Sequence, residues 1–172
     1  MKFKTLLKQM GACEHAIVWV GEKSMHEAWD TCERGDWMLW FYTRYRPGDL
    51  QGVTLVKGLI ANTVRHLMSD QRSLDAVDTA IAFGEGRAGS DQLEASRREA
   101  GMCAIGFAAK AAYYACNTAC YDNIVDFVAA AVYESYDDFL SGLHAKKDSF
   151  KASADICRKY LNLGELNETD QT

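Results

Sequence analysis

The sequence predicts an all-α protein, a single compact domain of about seven or eight helices packed around a central alanine-rich helix. The chain of 172 residues contains a single proline, Pro47, whereas strand-rich folds recruit proline to their many turns. Apolar residues recur every three or four positions, and no segment alternates with a period of two. The 48% hydrophobic content suits one domain, assigned to residues 1–163 with a polar tail over 164–172.

Short helices are predicted for the N-terminal part of the chain. Apolar stripes predict helices over about 2–10 and 12–20. Ser24 and Glu27 then stand in the spacing of a capping box, in which each side chain bonds the backbone amide of the other. This box predicts a short helix that ends near Cys32.

The stretch CERGDWMLWFYTRY, residues 32–45, is the densest in aromatic and charged side chains. Asp36 is predicted to be the N-cap of its helix, where a carboxylate bonds free amides. Trp37 and Trp40 share one face because they are three positions apart. Together with Trp29 they are expected to form a structural staple in the core. The alternative is a binding hot spot, which exposed Trp, Tyr and Arg side chains often form.

The next helices follow from caps and breakers. Pro47 ends the helix over 37–45, and Asp49 is predicted to cap its successor. A further helix begins near Leu74 and stops at GEGRAG, residues 84–89. This stretch matches the dinucleotide pattern G-x-G-x-x-G, but a helix rather than a strand precedes it, so we interpret it as a helix end and turn.

The predicted centre of the fold is one continuous helix from 91 to about 118, capped by Ser90. Small side chains on one of its faces allow close helix packing: Ala100, Ala104, Ala108, Ala111, Ala115 and Ala119. Helices over about 121–140 and 146–162 complete the fold. The last is expected to pack through Phe150, Ala154, Cys157 and Leu161.

An acidic face is predicted on the helix over 121–140. A rotation of 100° per residue places these residues on it: Asp122, Asp126, Tyr133, Tyr136 and Asp137. Phe139 is expected on the opposite, buried side. We interpret the acidic face either as a solvated surface or as the docking site of a basic protein partner, such as a toxin or a nuclease.

The charge and cysteine content of the chain narrow the possible partners and the expected cellular compartment. Residues 1–72 hold ten Lys and Arg against eight Asp and Glu, and residues 73–172 hold nine against sixteen. This acidic balance argues against nucleic acid as a partner. The chain shows no export signal and no apolar run near the roughly 20 residues that span a bilayer. We therefore expect a cytoplasmic protein with reduced thiols.

The sequence contains no nucleophile elbow, no H-E-x-x-H motif and no Walker A motif, which makes an enzyme the less favoured class. Cys116 and Cys120 have a spacing used in metal sites, but a structural zinc site needs four ligands. Buried free thiols are the alternative interpretation. A metal-dependent hydrolase is nevertheless kept as one of the candidate functions.

Three segments resemble the immunity-protein-5-like family, which groups immunity proteins of polymorphic toxin systems and has members in phage genomes. They are ACEHAIVWV, EAWDTCERGDWMLW and AVDTAIAFGEGRAGSDQLEASRREA, within roughly residues 10–120. The specific part is W-x2-C-x-R-G-D-W-x-L-W, and the central helix departs from the family through its Gly and Cys residues. The resemblance implies an all-helical domain and toxin neutralisation. The alternative is a phage protein that binds a small nucleotide or another ligand, for which a pocket lined by Arg44, Arg46 or Arg65 would be expected.

Overall fold

The computed structural model describes residues 2–117 and 124–164, and in this part of the chain all regular structure is helical. It contains ten α-helices and one 3-10 turn, Arg65–Leu67. The α-helices are α1 (Phe3–Gln9), α2 (Glu14–Val20), α3 (Met25–Thr31), α4 (Gly35–Tyr45), α5 (Leu50–Asn62), α6 (Gln71–Gly84), α7 (Ser90–Met102), α8 (Phe107–Cys116), α9 (Ile124–Glu134) and α10 (Phe139–Tyr160). The all-α prediction is confirmed. Among the described helices, none has both the length and the apolar composition needed to cross a membrane.

Helix α8 occupies the centre of the fold, in contact with α5, α6, α7 and α9. Small buried side chains make this close packing available: Ala108, Ala111, Ala112, Ala115 and Cys116. Lys57 of α5 is also buried and donates a hydrogen bond to the carbonyl oxygen of Asn117, just after α8. A cation is favoured there because the C-terminal end of a helix is electronegative.

The predicted single helix over 91–118 is wrong, because the chain breaks between Met102 and Phe107. Gly106 adopts φ +82° at the break, a left-handed conformation that glycine tolerates best. The helix before the break is not capped by Ser90. Its N-cap is Gly89, whose amide donates to Gln92 Oε1 at 2.8 Å.

The boundary between the last two helices also differs from the prediction. Helix α9 ends at Glu134, and α10 begins at Phe139 instead of near 146. Asp138 sets this start, since its carboxylate accepts a hydrogen bond from the amide of Ser141 at 2.9 Å. The predicted packing of this last segment is confirmed, because Ala154, Cys157 and Leu161 are buried and Phe150 is partly buried against the core.

Two local caps were predicted correctly. The amide of Glu27 donates to Ser24 Oγ at 3.2 Å, and the amide of Ser24 donates to Glu27 Oε2 at 2.7 Å. Asp49 accepts from the amide of Gly52 at 2.9 Å and from the hydroxyl of Tyr42 at 2.6 Å. These caps fix where α3 and α5 begin.

Candidate functional site

A cavity of about 180 Å³ lies between α1–α3 and α4. All four tryptophans of the chain line it: Trp19, Trp29, Trp37 and Trp40. Trp29 is buried, whereas the other three are partly buried against the core. The structure thus brings the three predicted staple tryptophans together, but as parts of the wall of a cavity.

Aromatic contacts hold the first three helices over α4 around this cavity. The rings of Phe3 and Phe41 meet edge to face with centroids 5.2 Å apart. Trp19 meets Trp37 at 6.1 Å, and Trp29 meets Phe41 at 6.5 Å. Edge-to-face pairs favour defined ring orientations, so these contacts orient rings that line the cavity.

Asp36 lies at the cavity, but not as the predicted N-cap. Helix α4 begins at Gly35, two residues before the predicted start at Trp37, and its N-cap Arg34 makes no side-chain cap bond. The Asp36 carboxylate is instead held by the Arg34 guanidinium, with Nε to Oδ1 at 2.8 Å. Arg34 lies 4.6 Å from the ring centroids of both Trp37 and Phe150. The prediction missed this pair because it considered only the backbone amides as partners for Asp36.

Asp126 of α9 is exposed and also lines the cavity, which places it at the mouth. No hydrogen bond or ion pair joins its carboxylate to any other described residue. Partial burial raises the pKa of this carboxyl above its usual range, and the charge of Asp36 raises it further. The nearby cations Arg34 and Lys146 act in the opposite direction. The mouth therefore carries one paired and one unpaired carboxylate.

The raised pKa of Asp126 gives a prediction for stability against pH. The folded protein keeps this proton to higher pH than the unfolded chain, whose ordinary pKa is 3.8. The carboxyl therefore lowers the free energy of unfolding as pH rises above that value. Asp126→Asn should melt above wild type at about pH 7 and equal to it at about pH 3. Thermal melts across this range test the prediction, and a variant that melts below wild type at neutral pH would contradict it.

The other residues of the predicted acidic face do not form one helical face. Tyr133 packs against α10, with its ring 6.3 Å from that of Phe139 and next to Gly142. Tyr136 and Asp137 follow the end of α9 and are exposed. Asp122 lies outside the described residues. Asp126 therefore lies at the cavity, whereas Tyr136 and Asp137 lie on the surface after the end of α9.

An exposed apolar surface lies where α10 begins. It includes Phe139, so the prediction that Phe139 is buried is wrong. The α10 surface consists of Tyr136, Phe139, Leu140 and Leu143, which are 49%, 66%, 64% and 47% exposed. Phe139 is exposed because α10 starts at this residue, so the helical phase assumed from the preceding helix does not apply. Contiguous apolar patches on a protein surface mark interaction sites.

The alternative functions find less support in the described residues. Arg44, Arg46 and Arg65 do not line the aromatic cavity, so it offers no such cation to a nucleotide phosphate. In the described ranges, no three His, Cys, Asp or Glu side chains are grouped to hold a metal ion. Cys116 is buried, and burial raises the pKa of its thiol to about 12. Cys120 lies outside the described residues.

Comparison with known proteins identifies no relative of this chain. No protein-family model, no curated protein and no solved structure matches it. The resemblance to the immunity-protein-5-like family therefore stays a prediction.

Proposed function

We propose that the protein binds another protein through the α10 surface. The observation that carries this proposal is the exposure of Phe139, Leu140 and Leu143, about half or more of each side chain. At 100° per residue, these three positions fall within one face of α10 about 100° wide. They offer a continuous apolar contact, of the kind that forms the centre of protein interfaces.

Acidic residues border the N-terminal end of the α10 surface, where they favour a basic partner, while Lys146 and Lys147 continue the same helix face beyond Leu143. No Lys or Arg occurs between Lys110 and Lys146, whereas five Asp and Glu do. Of these, Glu134, Asp137 and Asp138 are exposed beside the apolar residues. Hydrogen bonds from Ser141 hold the pKa of Asp138 below its usual range, which keeps it ionised. This rim would attract a partner whose own apolar patch is surrounded by Lys and Arg.

A second copy of the chain fits this surface less well where the two α10 helices run parallel. That two-fold arrangement would bring the acidic rims of both copies together, and like charges across an interface oppose binding. A nuclease has the required basic surface because it binds phosphates. Neutralisation of such a toxin, as the family resemblance implies, is the form of the proposal that we favour.

The proposal predicts that an apolar variant loses the partner. Phe139→Ser/Leu140→Ser/Leu143→Ser should stay folded, because these side chains are exposed, and should fail to retain a basic protein that wild type captures from its source cell. Asp137→Lys should weaken the same complex, more strongly at low salt. Quantitative mass spectrometry of captured proteins, followed by binding and nuclease assays with the purified partner, measures both effects.

Val18→Ser is the matched control, since Val18 is 70% exposed on α2, outside the α10 surface. It should capture the partner as wild type does. If the triple variant retains the same basic proteins as Val18→Ser, the α10 surface is not the interface.

A further inference from the structure

In the tryptophan-lined cavity, buried apolar side chains form the inner wall and carboxylates lie at the mouth. Its inner wall is formed by Trp29, Met25, Val20 and Leu7, all of which are buried. The residues with charged side chains in its lining are Asp36 and Asp126. A buried pocket that is apolar except for a few convergent polar groups is the usual form of a small-molecule site.

The size of the cavity suits a ring with a short chain. Its volume is about 180 Å³, and an apolar cavity of about 150 Å³ in another protein stays dry and takes up benzene. Flat indole walls offer large contact areas to a ring. An apolar body would therefore gain free energy by leaving water for this interior.

The unpaired carboxylate at the mouth favours a cation. The Asp36 carboxylate is already held by Arg34, which itself lies against the rings of Trp37 and Phe150. Asp126 has no hydrogen-bond or ion-pair partner among the described residues, and the charges near it are Asp36, Arg34 and Lys146. A positive group placed beside Asp126 would supply the ion-pair partner that this carboxylate lacks. No Lys or Arg lines the cavity to receive an anion.

We infer that the cavity binds a small organic ammonium ion, whose apolar ring lies between the tryptophans and whose ammonium group lies at Asp126. This site is formed by α1–α4 and the first turn of α9. It uses no residue of the α10 surface, so the inference does not depend on the proposed protein partner.

Three matched probes test the inference: 2-phenylethylammonium, 3-phenylpropionate and ethylbenzene. Calorimetric titration gives the affinities, and the indole N–H signals of the four tryptophans report where each probe binds. We expect 2-phenylethylammonium to bind about tenfold more tightly than 3-phenylpropionate, because one charge is attracted by the carboxylates and the other is repelled. Asp126→Asn should reduce this ratio several-fold without changing the affinity for ethylbenzene.

Ala28→Leu fills the cavity from α3 and should weaken binding of all three probes at least about tenfold. Ala16→Leu does the same from α2, and serves if the first variant does not fold; both alanines line the cavity. Equal affinity for the ammonium and carboxylate probes in wild type would overturn the inference. Failure of every probe to bind, or binding that survives in a folded cavity-filling variant, would overturn it as well.

Discussion

Trp29→Ala should lower the free energy of unfolding more than alanine at any other tryptophan of this chain, by about 3–5 kcal/mol. Trp29 is 9% exposed and packs against Phe41 and Tyr42. Its backbone is held in place, because Arg158 donates to the carbonyl oxygens of Trp29 and Cys32 at 3.1 and 2.7 Å. The surroundings therefore cannot collapse easily into the space left by the indole, which places the cost in the upper part of the range.

The melting temperature of Trp29→Ala should fall by about 6–20 °C, given about 2–4 °C per kcal/mol for a chain of this size. Trp40→Ala is the comparison, since Trp40 is only partly buried and its outer face is covered by Arg44 at 4.3 Å. Trp40→Ala should lower the melting temperature clearly less than Trp29→Ala does. An equal loss of stability in both variants would show that Trp29 does not stabilise the fold more than Trp40 does.

Helix starts could be predicted from the sequence where the cap is local. Ser24 with Glu27 and Asp49 with Gly52 act across three positions, so their spacing alone identifies them. Asp36 is also of a residue type that often caps helices, but the guanidinium of Arg34, two residues earlier, binds its carboxylate. A charged neighbour can thus outcompete the backbone for a capping residue, and spacing does not show which of them wins.

Helix breaks were harder to predict because the apolar period continues through them. The alanine spacing runs across residues 103–106 without interruption, and the signal available there was Gly106. The start of α10 has a local capping signal, because Asp138 stands three positions before Ser141 and accepts a hydrogen bond from its amide. With that cap recognised, Phe139 and Leu140 fall in the first turn, where the pattern no longer requires burial.

The cavity itself could not be predicted from composition or periodicity. Its lining residues are large and apolar, and by pattern they are indistinguishable from a filled core. Rings of α1–α3 meet rings of α4 edge to face beside this space. Packing of this kind depends on tertiary geometry, which a single sequence does not specify.

Gly35→Ala is the second substitution with a large expected effect, because α4 crosses α10 at this glycine. A Cβ atom at position 35 would lie 2.5 Å from Ser153 Cβ and 2.7 Å from the backbone nitrogen of Ala154. Backbone atoms in the middle of a helix cannot move aside alone, so the two helices would have to separate. Overpacking usually costs about 1–3 kcal/mol, and we expect a loss at or above the top of this range.

Helix propensity acts in the opposite direction but is smaller. Alanine is favoured over glycine within a helix by roughly 1 kcal/mol, so Gly35→Ala should be clearly destabilised on balance. Gly48→Ala is the matched control, since a Cβ atom at that glycine meets nothing within 4 Å. Its denaturation midpoint should stay close to wild type. If Gly35→Ala unfolds at the same urea concentration as Gly48→Ala, α4 and α10 can separate at little cost. The close crossing of these helices would then not require glycine at position 35.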